Sequence, residues 1–167
     1  MKRVTWLSLC LLGFILWAPP SAAQRKEHPG SDEMKTLLGE WESKTESGKA
    51  IQVSYRLVSA ETALMEMLHP ADEPEMVTLY TADGDRVALT HYCTANNQPR
   101  MRSAPLSSGP PKLDFSFIGA TNLAGPTAGH IHHLVVTFDA NDQFTQNWTW
   151  REDGKDKITT YRFMRKK

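Results

Sequence analysis

Apolar and polar residues alternate with a period of two along much of this 167-residue chain. The clearest segments are 51–57, 113–117 and 144–150, in which the apolar and aromatic side chains fall on one side. Successive side chains of a β-strand point to opposite faces, so each segment predicts a strand with one buried and one solvated face. This pattern is typical of antiparallel strands around one core, whereas parallel sheets need nearly continuous apolar runs.

Turn-forming residues separate these segments, most clearly at 46–49, 83–85, 139–142 and 153–155. The hairpin spacing predicts an all-β fold, an antiparallel up-and-down β-barrel of about eight to ten strands. An immunoglobulin-like sandwich is the alternative. The predicted strands are 40–46, 50–58, 63–69, 76–81, 86–93, 99–103, 112–118, 130–138, 143–151 and 157–165.

The first 23 residues have the features of a secretory signal peptide. Lys2 and Arg3 precede an apolar stretch over 4–18, and the small residues 21–23 precede Gln24. The stretch is shorter than the roughly 20 residues of a membrane span. We therefore expect cleavage after residue 23, export to the periplasm or the extracellular space, and no stable membrane span in the mature chain.

The mature chain is predicted to have a polar lead over 24–31 and a single barrel domain over 32–167. Residues 32–38 predict a short N-terminal helix, which Ser31 or Asp32 can cap and Gly39 can end. Loss of Cys10 with the signal peptide leaves Cys93 as the only thiol, so no internal disulfide is expected. A lone cysteine of this kind is most often buried and inert.

The charge of the chain is balanced, with 19 basic and 19 acidic residues. Removal of the signal peptide makes the chain slightly acidic. Proteins that bind nucleic acid electrostatically carry a basic surface. The composition therefore excludes a purely electrostatic DNA or RNA binder.

Gly39-Glu40-Trp41 follows the predicted helix and opens the first strand, and Arg162 and Arg165 lie in the last one. Five further segments carry the same likeness: 76–80, 83–85, 90–93, 97–101 and 129–133. Together these motifs resemble those of a group of exported bacterial lipocalin-like (calycin-type) proteins of unknown function. The resemblance implies a lipocalin-like barrel in which a tryptophan packs beneath a basic side chain, and it implies no activity.

Alternation also assigns faces to the histidines. His91 shares a side with apolar residues of 86–93, and His130 and His132 share a side with Leu134 and Val136. If the apolar side faces inward, these three histidines point into the barrel lumen and His133 points out.

Gln146 and Trp148 fall on the inward side of their strand, and Glu66 is a further candidate for an inward polar group. An apolar cavity with a few convergent polar groups is typical of a small-molecule site. The sequence therefore predicts a protein that binds a small apolar or amphipathic molecule in its lumen. The expected ligand-binding residues are His91, His132, Gln146, Trp148 and, as a donor at the barrel rim, Arg100.

The alternative is a metal- or thiol-dependent enzyme. His130 and His132, two residues apart on a strand, could bind zinc together with His91, with Glu66 as a carboxylate ligand. Haem ligation by one of these histidines is a second possible cofactor role. Cys93 beside His91 is the candidate nucleophile.

Overall fold

The computed structural model describes residues 28–106, 111–140 and 142–167. The predicted signal peptide, 1–23, and the first residues of the polar lead lie outside the described residues. The structure has one short helix and ten antiparallel strands. They are α1 (Pro29–Lys35), β1 (Gly39–Lys44), β2 (Ala50–Val58), β3 (Ala63–His69), β4 (Met76–Asp83), β5 (Arg86–Tyr92), β6 (Gln98–Ser103), β7 (Lys112–Thr121), β8 (His130–Asp139), β9 (Gln143–Glu152) and β10 (Lys155–Arg165).

Each strand pairs with its neighbours in sequence, and β10 pairs with β1 to close the barrel. This confirms the predicted up-and-down barrel, and the architecture is consistent with a lipocalin-like barrel. Buried and more exposed side chains alternate along the strands as predicted. In β2, for example, Ile51, Val53 and Tyr55 are buried. The β9–β10 turn is formed by Asp153 and Gly154, whose φ angles of 49° and 72° suit the twist of a two-residue hairpin.

Helix α1 begins at Pro29, three residues before the predicted start, and ends at Lys35. Proline is favoured in the first helical turn, because its fixed φ suits the helix and its missing N–H needs no partner there. Buried Met34 and Leu37 attach this segment to one end of the barrel. Among the described residues, no helix has the length and apolar character needed to cross a membrane.

The end of the barrel beside α1 is closed by aromatic packing. The rings of Trp41 and Phe144 meet edge to face at 4.8 Å, and the Arg165 guanidinium lies 4.0 Å from the Trp41 ring centre. Arg165 also donates hydrogen bonds to the carbonyls of Leu38 and Thr36, at 2.8 and 3.0 Å. The predicted tryptophan–arginine contact is therefore present, and Arg165 makes it.

Candidate functional site

The opposite end of the barrel holds a cavity of about 730 Å³, hereafter the lumen cavity. This volume lies within the range of small-molecule sites, roughly 300–1,000 Å³. Apolar side chains form much of its wall: Leu68, Met76, Ile131, Trp148, Trp150 and Tyr161. Charged residues lie around its mouth: Glu73, Glu152, Asp153, Lys155, Asp156 and Lys157. The barrel is thus packed at one end and open at the other.

His91 is the buried histidine of the lumen cavity, as its position in the sequence predicts. Its side chain is 2% exposed, and its ring lies 4.8 Å from that of Trp148. Its Nδ1 forms a 2.9 Å hydrogen bond with the hydroxyl of Thr78. Burial lowers the pKa of His91 to about 4, because desolvation penalises the charged imidazolium. The ring is therefore neutral near pH 7.

A row of polar side chains crosses four adjacent strands behind His91. Tyr55, Glu66, Thr78 and His91 are direct cross-strand partners on β2, β3, β4 and β5. The Tyr55 hydroxyl donates to Glu66 Oε2 at 2.6 Å, and the Thr78 hydroxyl lies 3.4 Å from Glu66 Oε1. Side chains opposite each other on one face of a sheet are close enough to interact directly. The register of these strands therefore assembles a continuous hydrogen-bonded row.

Glu66 is fully buried and accepts two further hydrogen bonds at Oε2, from Tyr80 at 2.8 Å and from Gln146 at 2.8 Å. Desolvation raises its pKa, and the four donors partly offset that effect by stabilising the carboxylate. Burial and the Glu66 charge hold the pKa values of Tyr55 and Tyr80 well above the usual range. We call Tyr55, Glu66, Thr78, Tyr80 and Gln146 the Glu66 network.

Gln146 and Trp148 connect this network to the cavity wall. Gln146 is fully buried, and its Oε1 accepts a 3.0 Å hydrogen bond from Trp148 Nε1. Its amide nitrogen donates to Tyr55 and to Glu66, each at 2.8 Å. Gln146 therefore fixes the indole of Trp148, and Trp148 in turn packs against His91.

The structure places His132 on the outer wall of the barrel, which corrects the prediction that it points into the lumen. The β8–β9 register shifts between Ile131 and His133, at a β-bulge. An extra residue in one strand reverses the alternation on either side of it. Ile131 therefore lines the lumen cavity, while His132 lies in a surface groove with Ser116 and Arg151.

His130 and His132 form a cluster with Phe117 and Arg151, hereafter the outer histidine cluster, in which His132 lies in the surface groove and His130 is buried, 4% exposed. The two imidazoles are 3.2 Å apart, from His130 Nε2 to His132 Nδ1, and the Phe117 ring lies within 5.1 Å of both ring centres. Arg151 donates to His132 Nε2 at 2.6 Å. Desolvation and the Arg151 charge both lower the pKa of His132. The regular β7–β8 pairing ends at Ser116, and this cluster lies directly beyond it.

The predicted metal site is not assembled. His91 lies in the lumen cavity, whereas His130 and His132 lie in the outer cluster. In the part of the chain that the structure describes, no three histidine, cysteine, aspartate or glutamate side chains form a group that could hold a metal ion. The bulge in β8 is the physical reason, because it removes His132 from the lumen face that the zinc hypothesis assumed.

Arg100 does not line the lumen cavity, contrary to its predicted role at the rim. It is exposed on β6 between the buried residues Pro99 and Met101, and therefore faces outward. The neighbouring polar side chains are used internally. Asn97 donates to the Gly129 carbonyl at 2.9 Å, and Gln98 accepts from Thr121 at 2.7 Å.

Cys93 lies at the wall of the lumen cavity and is half-buried with a free thiol. It shares the cavity with His91, two residues earlier in the chain. The prediction of a fully buried cysteine is therefore wrong, because β5 ends at Tyr92 and Cys93 begins the following turn.

Three residues of the Glu66 network were not identified as functional from the sequence: Tyr55, Thr78 and Tyr80. The position of Tyr55 could have identified it, because Tyr55 falls on the predicted buried face of 51–57. A buried phenol needs a hydrogen-bond partner. A second such phenol on a nearby strand would have indicated a shared acceptor, which the structure shows to be Glu66.

Comparison with known proteins identifies the fold. No protein-family model matches the sequence, and no curated protein matches it. The structure is similar to the crystal structure of Rv2717c from M. tuberculosis, with a TM-score of 0.58 and 13% sequence identity. The match covers 85% of this chain and 100% of that chain. At this level of identity the likeness shows a shared barrel fold alone.

Proposed function

We propose that this protein is an exported binding protein, which holds a small apolar or amphipathic molecule in the lumen cavity. The observation that carries the proposal is the cavity itself, about 730 Å³ with an aromatic and aliphatic wall and a neutral histidine at its surface. Burial of apolar ligand surface there supplies the affinity, at roughly 25 cal/mol per Å² before the costs of association.

His91 and Trp148 are the expected direct ligand contacts. Trp148 offers an indole face, and His91 offers a ring nitrogen for one hydrogen bond. Gln146 acts behind them by positioning Trp148 through its 3.0 Å hydrogen bond. Arg100 and His132 have no place in this site, because both lie on the outer surface of the barrel.

Export rests on the predicted signal peptide. Expression of the full chain with a native secretion system, followed by N-terminal sequencing of the released protein, tests it. We expect the mature chain to begin at Gln24. A protein that stays in the cytoplasm with residues 1–23 intact would contradict this part of the proposal and leave the binding role untouched.

A matched pair of variants tests the binding role. Ile131→Trp adds bulk on the cavity wall, whereas Ile158→Trp adds the same bulk at an outer position that is 65% exposed. We expect the neutral apolar dye N-phenyl-1-naphthylamine to bind the wild type and Ile158→Trp equally. Ile131→Trp should weaken binding by about tenfold or more, since steric overlap of a few kcal/mol is typical of overpacked sites. Equal dye affinity for all three proteins, or no binding to the wild type, would overturn the proposal.

A further inference from the structure

The inner end of the lumen cavity has a buried acid, Glu66. Glu66 is fully buried two hydrogen bonds behind His91, through Thr78. Within the described residues, every lysine and arginine side chain is at least partly exposed. A bound carboxylate at His91 would therefore meet a neutral or a negatively charged inner end of the cavity, and no buried cation among the described residues would pair with it.

The position of one proton along this row decides what His91 offers to a ligand. When Glu66 is ionised, the Thr78 hydroxyl donates to Glu66 Oε1 and accepts from His91 Nδ1–H, so Nε2 is an acceptor. When Glu66 is protonated at Oε1, it donates to Thr78 and the Thr78 hydroxyl donates to Nδ1, so the ring carries its proton on Nε2. Both arrangements give each hydrogen bond between Glu66, Thr78 and His91 Nδ1 one donor and one acceptor, and they differ by one proton gained at Glu66 and a change of tautomer at His91.

His91 Nε2 is the atom through which this row meets a ligand. Nδ1 is occupied by Thr78 at 2.9 Å. In the described part of the chain, Nε2 has no protein hydrogen-bond partner. A ligand group that can both donate and accept, such as a hydroxyl, satisfies Nε2 in either tautomer. A carboxylate can only accept, and it is repelled when Glu66 is ionised.

We infer that the lumen cavity selects a neutral amphiphile with a terminal hydroxyl over the corresponding carboxylate, and that the hydroxyl binds at His91 Nε2. This inference rests on the proposed function, because it names the ligand class of the same cavity. The mouth of the cavity is consistent with it, since four carboxylates and two lysines lie there. A long-chain alcohol is the simplest member of the class.

Decanol and decanoate are a matched test pair, because they share the chain length and differ in the head group. Each would compete with N-phenyl-1-naphthylamine at about pH 8, where a free carboxylic acid is ionised. We expect decanol to bind about tenfold more tightly, because only decanoate is repelled by an ionised Glu66, which lies two hydrogen bonds behind His91. Equal affinities, or tighter binding of decanoate, would overturn the inference while leaving dye binding and the proposed function intact. Failure of the wild type to bind the dye and decanol would instead overturn the proposed function.

Glu66→Gln identifies the cause of the selectivity. The glutamine oxygen can accept from the tyrosines while its amide donates to Thr78, which leaves the Thr78 hydroxyl to donate to His91 Nδ1. We expect the ratio of decanol to decanoate affinity to fall toward one. We also expect ¹⁵N shifts of the His91 ring, measured by two-dimensional NMR, to report the Nε2–H tautomer.

Glu73→Gln removes a negative charge at the cavity mouth. Glu42→Gln is the matched control, because it removes a negative charge from an exposed position on β1 outside the cavity and leaves the row intact. The ratio of decanol to decanoate affinity of this control variant should stay close to that of the wild type, and its His91 tautomer should be unchanged. Loss of selectivity in Glu73→Gln but not in Glu66→Gln would assign the discrimination to the mouth and overturn the role of the row. The NMR signature also separates this role from a merely structural one, since a loosened fold would not select one tautomer.

Discussion

His91 shows how a single buried side chain can link the stability of the fold to the surface of the lumen cavity. Its ring is 2% exposed, and it contacts both Thr78 and Trp148. A buried polar atom without a partner costs about 1–3 kcal/mol. The Thr78 bond removes that cost for Nδ1, and the neutral state avoids the larger cost of a buried charge. The fold therefore keeps an imidazole at the cavity that stays uncharged under ordinary conditions.

The lowered pKa of His91 predicts a loss of stability in acid. The unfolded chain takes up a proton near pH 6.5, whereas the folded protein does so only near pH 4. Stability from this group is present above pH 6.5 and is lost as the pH falls toward 4, by about 3 kcal/mol in total. Urea unfolding of the wild type, followed across this pH range, should show the loss, and His91→Gln should lack it.

His69→Gln is the control for this prediction, because the His69 side chain is 46% exposed and its 3.3 Å contact with Glu75 Oε2 is a surface pair, which contributes little to stability. The loss of unfolding free energy of this variant as the pH falls should match that of the wild type. The raised pKa of Glu66 acts in the opposite direction, since stability from that group falls as the pH rises above about 4.5. Comparison with the variant therefore isolates His91. The prediction would be contradicted if His91→Gln lost as much unfolding free energy as the wild type when the pH falls.

The strands illustrate which parts of the fold local sequence determines. Residues 50–58 and 63–69 were predicted with the bounds that β2 and β3 have, because period-two burial is visible in the sequence itself. The bulge in β8 is different. His130, His132 and Leu134 have the parity of one face in a regular strand, and nothing in that pattern marks an inserted residue. The bulge depends on how β8 meets β7 and β9, so the facing of His132 required the three-dimensional structure.

The Glu66 network was only partly predictable for a related reason. Alternation placed Gln146 and Trp148 inward, and Glu66 was a candidate. Their convergence depends on the cross-strand register, which aligns Tyr55, Glu66, Thr78 and His91 across four strands. Turn lengths and packing together set that register. The sequence could therefore identify individual inward polar residues, but it could not show that they form one hydrogen-bonded row.

Gly129 tests how closely the β7–β8 loop packs against strand β9, because it lies where the two meet. A Cβ at this position would lie 2.1 Å from the Trp150 ring, a clash that requires the indole to move. We expect Gly129→Ala to destabilise the protein by about 1–3 kcal/mol, as overpacking does. Because Trp150 lines the lumen cavity, dye binding should weaken as well.

Gly125→Ala is the matched control in the same loop, since a Cβ there would have no neighbour within 4 Å. Thermal unfolding and dye titration of both variants make the comparison. Equal unfolding temperatures for the two alanine variants would show that Trp150 does not depend on the close approach of Gly129.

At the scale of the whole molecule, the barrel divides into a packed half and an open half. At the closed end the Phe144 ring contacts both Trp41 and Phe163, and Arg165 covers Trp41. The open end has the lumen cavity, and the Glu66 network lies inside the barrel behind His91. This division lets the chain keep an open cavity, because hydrophobic burial elsewhere supplies the stability that side chains filling the cavity would otherwise give.

The division predicts unequal costs for removing side chains from the two halves. Phe144 is fully buried and contacts the rings of Trp41, Tyr55 and Phe163, so Phe144→Ala should cost about 3–5 kcal/mol. Ile131 borders open space, so its removal creates little new cavity, and Ile131→Ala should cost less than about 2 kcal/mol.

Urea unfolding at low temperature, where both variants retain the most structure, measures these costs. Saturating decanol should then raise the unfolding free energy of the wild type and of Phe144→Ala by similar amounts, because the packed half does not touch the ligand and binding adds stability only through the folded state. It should raise that of Ile131→Ala less, since the cavity wall has lost contact area. Two outcomes would contradict this division. Either the two substitutions lower the unfolding free energy equally, or Phe144→Ala remains folded but is no longer stabilised by decanol. Each would show that the two halves act as one unit and that the cavity is part of the core.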